Sequence, residues 1–392
     1  MPELALLDSA PQSPLHHAEG DVGIHTRMVL DELRSDPAWQ ALGREKRAEL
    51  AWGCLLHDIG KPARTRVEDD GSITSRGHSG TGEVMARSIL WEMGAPVAAR
   101  ESICRVAKWH QVPFFAGLRG DELDIKRLSL SMNLSELAIC SRADARGRRT
   151  EPAKAWQETL DNIELFELHA REMGVWAAPM RCASHAERGI WLDKGGSIDP
   201  SYPWHAAAER PVLVACCGLP GSGKSTLASS LGLPVVGLDW ARESLGAAHG
   251  EREGEARQLA MDALKRHLGS GSSVVFDATS LGSDQRERLA GMASDYGADC
   301  VFVHVEAQSP SEWRARNKKR GDKSLPERAL MGMRAKWGAP AGFEGSAQAY
   351  FVSGRSDPEP VWGALLHDGW VEVKSQAAAA ARSPRGKPTG PR

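Results

Sequence analysis

The chain of 392 residues contains no Cys-x-x-Cys pair. Its seven cysteines are Cys54, Cys104, Cys140, Cys182, Cys216, Cys217 and Cys300, an odd number with two adjacent in an apolar stretch. This pattern argues against a disulfide framework and for reduced, structural thiols in a cytosol. No apolar run reaches membrane-spanning length, and the N-terminus lacks a basic-then-apolar signal pattern. The sequence therefore predicts a cytoplasmic protein with no membrane partner. An excess of one charge is also missing. Lys and Arg total 49 against 51 acidic residues, for a net charge of −2, so any nucleic-acid surface must be a local patch. No internal repeat is visible. What remains is an ordinary apolar content of 41% and a length that allows two or three domains.

The pattern changes once along the chain. From residue 1 to about 180, apolar residues recur at three- and four-residue spacing, in 24–34, 47–57, 82–92, 123–140 and 154–173. That predicts a helical domain over 1–180. Residues 181–209, with Gly195-Gly196, Pro200 and Pro203, read as a linker with some ordered contacts. From Pro211, apolar runs at 211–217, 234–238, 273–277 and 299–305 alternate with helical stretches at 224–231, 253–268, 284–295, 309–319 and 326–335. Further runs follow at 348–352 and 370–373. Alternation of this kind means a parallel sheet with right-handed crossovers, here over 210–375. Residues 376–392 carry Arg382, Arg385, Lys387 and Arg392 without an acidic residue, and read as a disordered basic tail. The predicted fold class is an all-α domain followed by an α/β domain.

Residues 218–226 read Gly-Leu-Pro-Gly-Ser-Gly-Lys-Ser-Thr after the apolar run ending at Cys217. Gly218, Gly221, Ser222 and Gly223 let backbone N–H groups close around a polyphosphate. Lys224 reaches the β- and γ-phosphates, Ser225 holds Mg²⁺, and Thr226 continues the opening helix. The chain is therefore expected to bind ATP or another NTP with Mg²⁺. The next apolar run ends at Asp239, with Arg242 one helical turn on. A carboxylate there accepts a proton from an attacking hydroxyl, and an arginine binds an acceptor phosphate. Asp277 ends a further run, suited to the Mg²⁺ shell or to holding the acceptor loop. From 311 to 337 nine Lys and Arg residues face three acidic ones. Arg316 and Arg320 share a helix face there, as an arginine-bearing lid over a γ-phosphate requires.

Together these features resemble the 5′-OH polynucleotide kinase family, over roughly 210–345. The resemblance implies that Asp239 is the general base for a 5′-hydroxyl, that Arg242 contacts the acceptor's 3′-phosphate, and that Arg316 and Arg320 bind the ATP phosphates. One departure is Thr279-Ser280, where the family pattern has Thr-Asn.

The helical half orders its ionisable residues as His25, His57-Asp58, His78, His110 and Asp144. Adjacent His and Asp at the end of an apolar helix are costly to bury unless a positive charge lies between them. A divalent ion supplies it, and a mixed imidazole and carboxylate set suits Mn²⁺, Ni²⁺, Co²⁺, Fe²⁺ or Zn²⁺. Six ligands are enough for one or two ions. The order resembles the HD phosphohydrolase superfamily over about 15–150. The stretch His17-Ala-Glu-Gly-Asp-Val-Gly-Ile-His25-Thr is similar to the HD module of bacterial tRNA nucleotidyltransferases, without their catalytic head. The resemblance implies a metal-activated water attacking a phosphoester, with Lys61 placed to meet the substrate phosphate. Arg142, Arg146, Arg148 and Arg149 flank Asp144 and could steer an anion to it.

The two halves joined resemble the bacterial bifunctional HD-domain polynucleotide kinases of RNA end healing. The partners implied are RNA or DNA ends with a 5′-OH and a 2′,3′-cyclic phosphate or 3′-phosphate. The activities implied are 5′ phosphorylation and removal of the cyclic, 2′- or 3′-phosphate. No Lys-x-Asp-Gly motif is present, so sealing falls to a separate RNA ligase. Two other classes stay open: a nucleoside kinase fused to a nucleotide phosphohydrolase, and a non-catalytic nucleotide-gated sensor.

Overall fold

The computed structural model of the protein describes residues 1–116, 122–149, 153–203, 210–248, 250–346 and 349–353. It divides into two compact units. One comprises Met1–Ala206 with Pro326–Gln348, the other Ala207–Leu325 with Ala349–Arg392.

The first unit is built from helices α1 (Val22–Ser35), α2 (Arg44–Leu56), α3 (His78–Glu92), α4 (Val97–Trp109), α5 (Leu134–Arg146) and α6 (Ala153–Glu172). Asp21 starts α1 by accepting the Ile24 N–H at 2.8 Å, a side-chain cap for an otherwise orphaned donor. The stretch expected as one helix over 123–140 is two, Glu122–Ser129 and α5. Asn133 causes the break: its Oδ1 accepts the Ser135 N–H at 2.9 Å and so opens a new helix. Helix α4, which the sequence spacing did not reveal, follows Pro96 and packs on both α2 and α3. Between α2 and α3 lies a small antiparallel hairpin, β1 (Arg66–Val67) with β2 (Ile73–Thr74). The stretch expected as a linker contains a helix, His185–Asp193, capped by Ser184. Residues 204–209 of it lie outside the described residues.

The second unit holds a five-stranded parallel sheet in the order β4-β5-β3-β6-β7. The strands are β3 (Val212–Cys217), β4 (Val235–Gly237), β5 (Val274–Asp277), β6 (Asp299–Glu306) and β7 (Tyr350–Ser353). Every residue of β3 and β6 is buried, as expected where both faces are covered. The helices are α7 (Lys224–Ser230), α8 (Leu238–Leu245), α9 (Glu253–Gly269), α10 (Ser283–Asp295) and α11 (Pro310–Lys318). Their alanines and leucines pack on the sheet around Leu213, Ala215, Val236 and Phe276. The run expected at 370–373 and the basic tail lie outside the described residues.

Residues 326–348 follow α11 in sequence yet belong to the helical unit. They include α12 (Glu327–Arg334). Trp337 is fully buried with its ring edge-on to Trp91 of α3, centroids 4.8 Å apart. The Trp337 carbonyl accepts from Arg87 at 2.9 Å, and Arg87 is itself held by Glu83 and Glu101. Arg334 reaches Glu92 at 2.6 Å. Phe343 lies 6.0 Å from the Trp109 ring.

Candidate functional sites

Six residues from five helices and their ends converge in the helical unit. His25 comes from the first turns of α1, His57 caps the C-terminus of α2, and Asp58 follows it. His78 opens α3, His110 caps the end of α4, and Asp144 lies late on α5. All six are buried. Gly60 makes the convergence possible. A Cβ there would strike the His78 carbonyl oxygen and the Gly82 nitrogen, so only glycine lets the turn after Asp58 lie against α3.

The Asp58 carboxylate divides the histidines into two sets. Its Oδ2 lies 3.1 Å from His57 Nε2 and 3.8 Å from His25 Nε2. Its Oδ1 lies 3.2 Å from His78 Nε2 and 3.7 Å from His110 Nε2. Asp144 Oδ1 stands 3.1 Å from His25 Nε2 and 3.9 Å from His57 Nε2. Among the described residues, His25–His57–Asp58, Asp58–His78–His110 and His17–Glu19–His25 each bring potential ligand atoms within 4.8 Å of one another.

The ring nitrogens show what this arrangement suits. Nδ1 of His57, His78 and His110 points at the carbonyls of Cys54, Ser75 and Ala107, at 2.6, 2.9 and 3.0 Å. Each carbonyl fixes the proton on Nδ1, so Nε2 offers a lone pair toward the carboxylates. Nε2 of His57 and of His110 is buried and makes no hydrogen bond of good geometry. Lone pairs facing carboxylate oxygens repel unless a cation lies between them. The residues therefore fit one or two divalent ions. Burial would lower the His57 pKa, but the Asp58 and Asp144 carboxylates outweigh it and raise it. His110, where burial dominates, is lowered to about 3. Burial opposes ionisation of Asp58 and Asp144, yet Lys61 and Arg148 respectively lead the groups that hold them well below the usual carboxylate range.

Among the neighbours, Gln12, His17 and Glu19 were not legible as site residues, and three that the sequence named are placed differently from expectation. Lys61, expected to face a substrate, is buried and directed at Asp58 Oδ2 (2.8 Å), Gln12 Oε1 (2.6 Å) and His17 Nε2 (3.5 Å). Glu19 Oε1 lies 2.8 Å from His17 Nδ1 and 3.0 Å from His25 Nδ1. Burial is the largest influence on His17 and lowers its pKa to about 3. Arg148 forks onto both oxygens of Asp144, and Arg142 pairs with Asp36. These two arginines are engaged within the unit.

The second site lies at the carboxyl ends of the strands, where parallel sheets bind ligands. The loop 218–223 joins β3 to α7. Gly218 has φ +135°, and a Cβ there would run into the Val305 carbonyl oxygen. Lys224 opens α7, is buried, and donates to Leu219 O at 2.8 Å, so it lies folded across the loop. Burial lowers its pKa. Ser225 and Thr226 are exposed on the first turn. Helix α11 is anchored to the loop by buried Trp313, whose Nε1 donates to Pro220 O at 2.8 Å. Arg316 donates to Ser222 O at 2.8 Å, and Arg320, expected on the same helix face, lies beyond the end of α11 at Lys318, beside Gly221. Asn317 faces inward instead, its side-chain amide donating to Leu325 O at 2.8 Å and accepting from Leu325 N–H at 3.0 Å.

Asp239 lies in the first turn of α8, directly after β4. Its Oδ1 accepts from Arg242 at 2.6 Å and its Oδ2 from Lys323 at 2.8 Å. Glu253 grips the other side of the Arg242 guanidinium with two bonds of 2.8 Å. Asp277 ends β5, in register with Gly237, and its charge acts on Lys224. Ser280 is fully buried with φ +41°, and its hydroxyl makes no hydrogen bond.

Residues 21–148 match the HD domain family, and residues 213–340 match the family described as AAA domain. The first span contains all six candidate ligands, and the second contains the loop, Asp239, Arg242, Asp277, Arg316 and Arg320. The chain is 37% identical over 110 residues to the Multifunctional CCA protein of Halorhodospira halophila, covering 28% of this chain and 24% of that protein. The Multifunctional CCA protein of Azoarcus sp. is 30% identical over 184 residues, 43% of this chain and 42% of that protein. The chain thus spans less than half the length of these two relatives. Among solved structures, Chaetomium thermophilum Kti12 in complex with ADP-AlF3 matches 40% of this chain and 98% of that one, at 17% identity and a TM-score of 0.33. A gluconokinase from Sinorhizobium meliloti covers 41% of this chain and 93% of its own, at 21% identity and a TM-score of 0.30. The chain thus joins a helical HD domain to an α/β P-loop domain, the make-up of a nucleotide-processing enzyme. The first implies divalent metal binding, the second an NTP with Mg²⁺.

Proposed function

We propose that the protein is a bifunctional nucleic-acid end-healing enzyme. Its P-loop unit phosphorylates 5′-hydroxyl ends from ATP. Its HD unit removes 2′,3′-cyclic, 2′- or 3′-phosphates. The observation that carries the reading is Asp239: a carboxylate at the carboxyl end of β4, in the same sheet as the phosphate loop's strand, oriented by Arg242. A nucleotide-gated sensor has no use for an acceptor-side base.

In this reading Asp239 takes the proton from the attacking hydroxyl. Lys224 and the loop amides hold the β- and γ-phosphates, and Ser225 with Asp277 serves the Mg²⁺. Arg316 and Arg320 meet the charge that develops during transfer. In the HD unit His25, His57, Asp58 and Asp144 hold one ion, and Asp58 with His78 and His110 holds a second. A bound ion supplies Lewis-acid activation of a phosphoester and of water. The residues' own part is to present unprotonated Nε2 atoms and two ionised carboxylates at a buried point. The substrates in this reading are RNA or DNA ends, with a separate ligase sealing the healed ends.

The test is transfer of label from ATP to three mixtures: a 5′-OH oligonucleotide, a nucleoside, and no acceptor. Label on the oligonucleotide, with little on the nucleoside, is the expected result. Preference for the nucleoside would move the chain to the small-molecule kinases. Nucleotide binding with no transfer at all would make it a sensor.

A further inference from the structure

We propose that Glu19 and His17 are positioning residues of the metal centre, acting through His25 and Asp58 without binding an ion themselves. The proposal rests on the metal reading of the HD unit. A neutral imidazole carries one N–H. The buried Glu19 carboxylate lies within hydrogen-bond reach of two of them, His17 Nδ1 at 2.8 Å and His25 Nδ1 at 3.0 Å. Gly147 O, 3.3 Å from His25 Nδ1, accepts from the same side. Both protons are therefore drawn to Nδ1, and both Nε2 atoms are left as acceptors. Glu19 is itself fixed through Oε2, which accepts the Arg149 N–H at 2.8 Å.

The two lone pairs have different uses. That of His25 points into the cluster, 3.1 Å from Asp144 and 3.8 Å from Asp58, where a bound cation reconciles it with the carboxylates. That of His17 faces the Lys61 ammonium at 3.5 Å. Lys61 has three N–H donors. Gln12, Asp58 and His17 supply three acceptors. A buried ammonium with its donors so committed is poorly placed to reach out to a substrate phosphate. It pins Oδ2 of Asp58, the carboxylate shared by the two histidine sets. One acid thus sets the tautomer of a ligand on one side and, through His17 and Lys61, the position of a carboxylate on the other. Outer partners of this kind typically change metal affinity 10- to 100-fold when removed.

The test uses the full chain and Mn²⁺ alone as the probe, followed by titration calorimetry after chelator treatment. Glu19→Ala and His17→Ala should weaken Mn²⁺ binding by roughly 10-fold or more. ATP binding and the circular dichroism spectrum should stay as in the wild type. Glu19→Gln should fall between, because its amide oxygen still accepts from both imidazoles. If the alanine variants fold poorly, the Glu19→Gln titration decides. Folded variants that bind Mn²⁺ with wild-type affinity and stoichiometry would overturn the proposal. Wild-type protein that binds no divalent ion would overturn the metal reading itself, and this proposal with it.

Discussion

Asp239 sits between two cations, Arg242 on one oxygen and Lys323 on the other. Asparagine keeps the shape and one acceptor oxygen but cannot take up a proton. Asp239→Asn should therefore cut phosphate transfer on the order of 10²-fold or more while ATP still binds, as removing a general base does. Transfer kinetics beside equilibrium ATP titration would show it, and near-normal transfer would remove the residue from that role. The Asp239–Arg242 pair was visible in the sequence because three residues on a helix fix the distance. Glu253 and Lys323 were not, since they arrive from 11 and 84 residues away and only the tertiary fold brings them in. Ser280 shows a different gap. The departure from Thr-Asn was plain in the sequence, but its cost is not. At φ +41° a side chain is strained by roughly 1–2 kcal/mol, and Asn tolerates that region better than Ser. The buried hydroxyl without a partner adds to the cost. Ser280→Gly relieves both and loses about 0.5–1 kcal/mol of chain entropy. The expected outcome is a protein that melts a few degrees higher. A lower melting temperature would mean that the hydroxyl has a structural partner after all.

At the scale of elements, α11 is the clearest case of a helix placed for chemistry. Trp313 fixes it to the loop, and Asn317 fixes the turn that follows. The sequence showed the basic face but could not show that Asn317 points inward. With the helix and the turn after it held, Arg320→Ala, just past the helix end, should lower kcat with little change in the acceptor KM, because the arginine meets charge that grows in the transition state. A rise confined to KM would reassign the helix to docking the nucleic acid. The HD unit has the opposite design, in which no one helix carries the site. α1 to α5 supply the ligands from helix ends and faces, and the carboxylates and Nε2 lone pairs repel when no cation lies among them. Chelation should therefore abolish phosphohydrolase activity and lower the first thermal transition. Mn²⁺, Co²⁺ or Ni²⁺ should restore both better than Mg²⁺, since imidazole nitrogen suits the softer ions. At a hundredfold excess over Kd, such an ion contributes about 2.7 kcal/mol. Unchanged melting with EDTA would argue against a resident ion.

For the whole molecule, the change of period near residue 181 and the strand pattern from 211 marked an α and an α/β part, and both are present. Periodicity could not show that residues 326–348 belong to the helical unit. Their helical spacing reads the same wherever they pack, and their place is decided by Trp337, Arg334 and Phe343 meeting Trp91, Glu92 and Trp109. Losing a buried Trp typically costs about 3–5 kcal/mol. Residues 1–206 expressed alone should thus melt well below the first transition of the full chain. Trp337→Ala in the full chain should lower that transition and leave ATP binding intact. A 1–206 fragment as stable as the intact protein would show that 326–348 is an ornament.

That returning segment also bears on the order in which the protein is made. Arg87, Glu101 and Trp91 leave the ribosome early, but the backbone carbonyl and the indole ring that cover them come only with residue 337. By then β3 to β6 have already been synthesised. The first-made unit therefore waits for chain that lies beyond the phosphate loop before its own interior closes. A ribosome that stops at residue 206 leaves a stretch with buried-type charges and no lid over them, open to chaperones and proteases. Cutting the gene at the apparent boundary would part the first unit from its own cover.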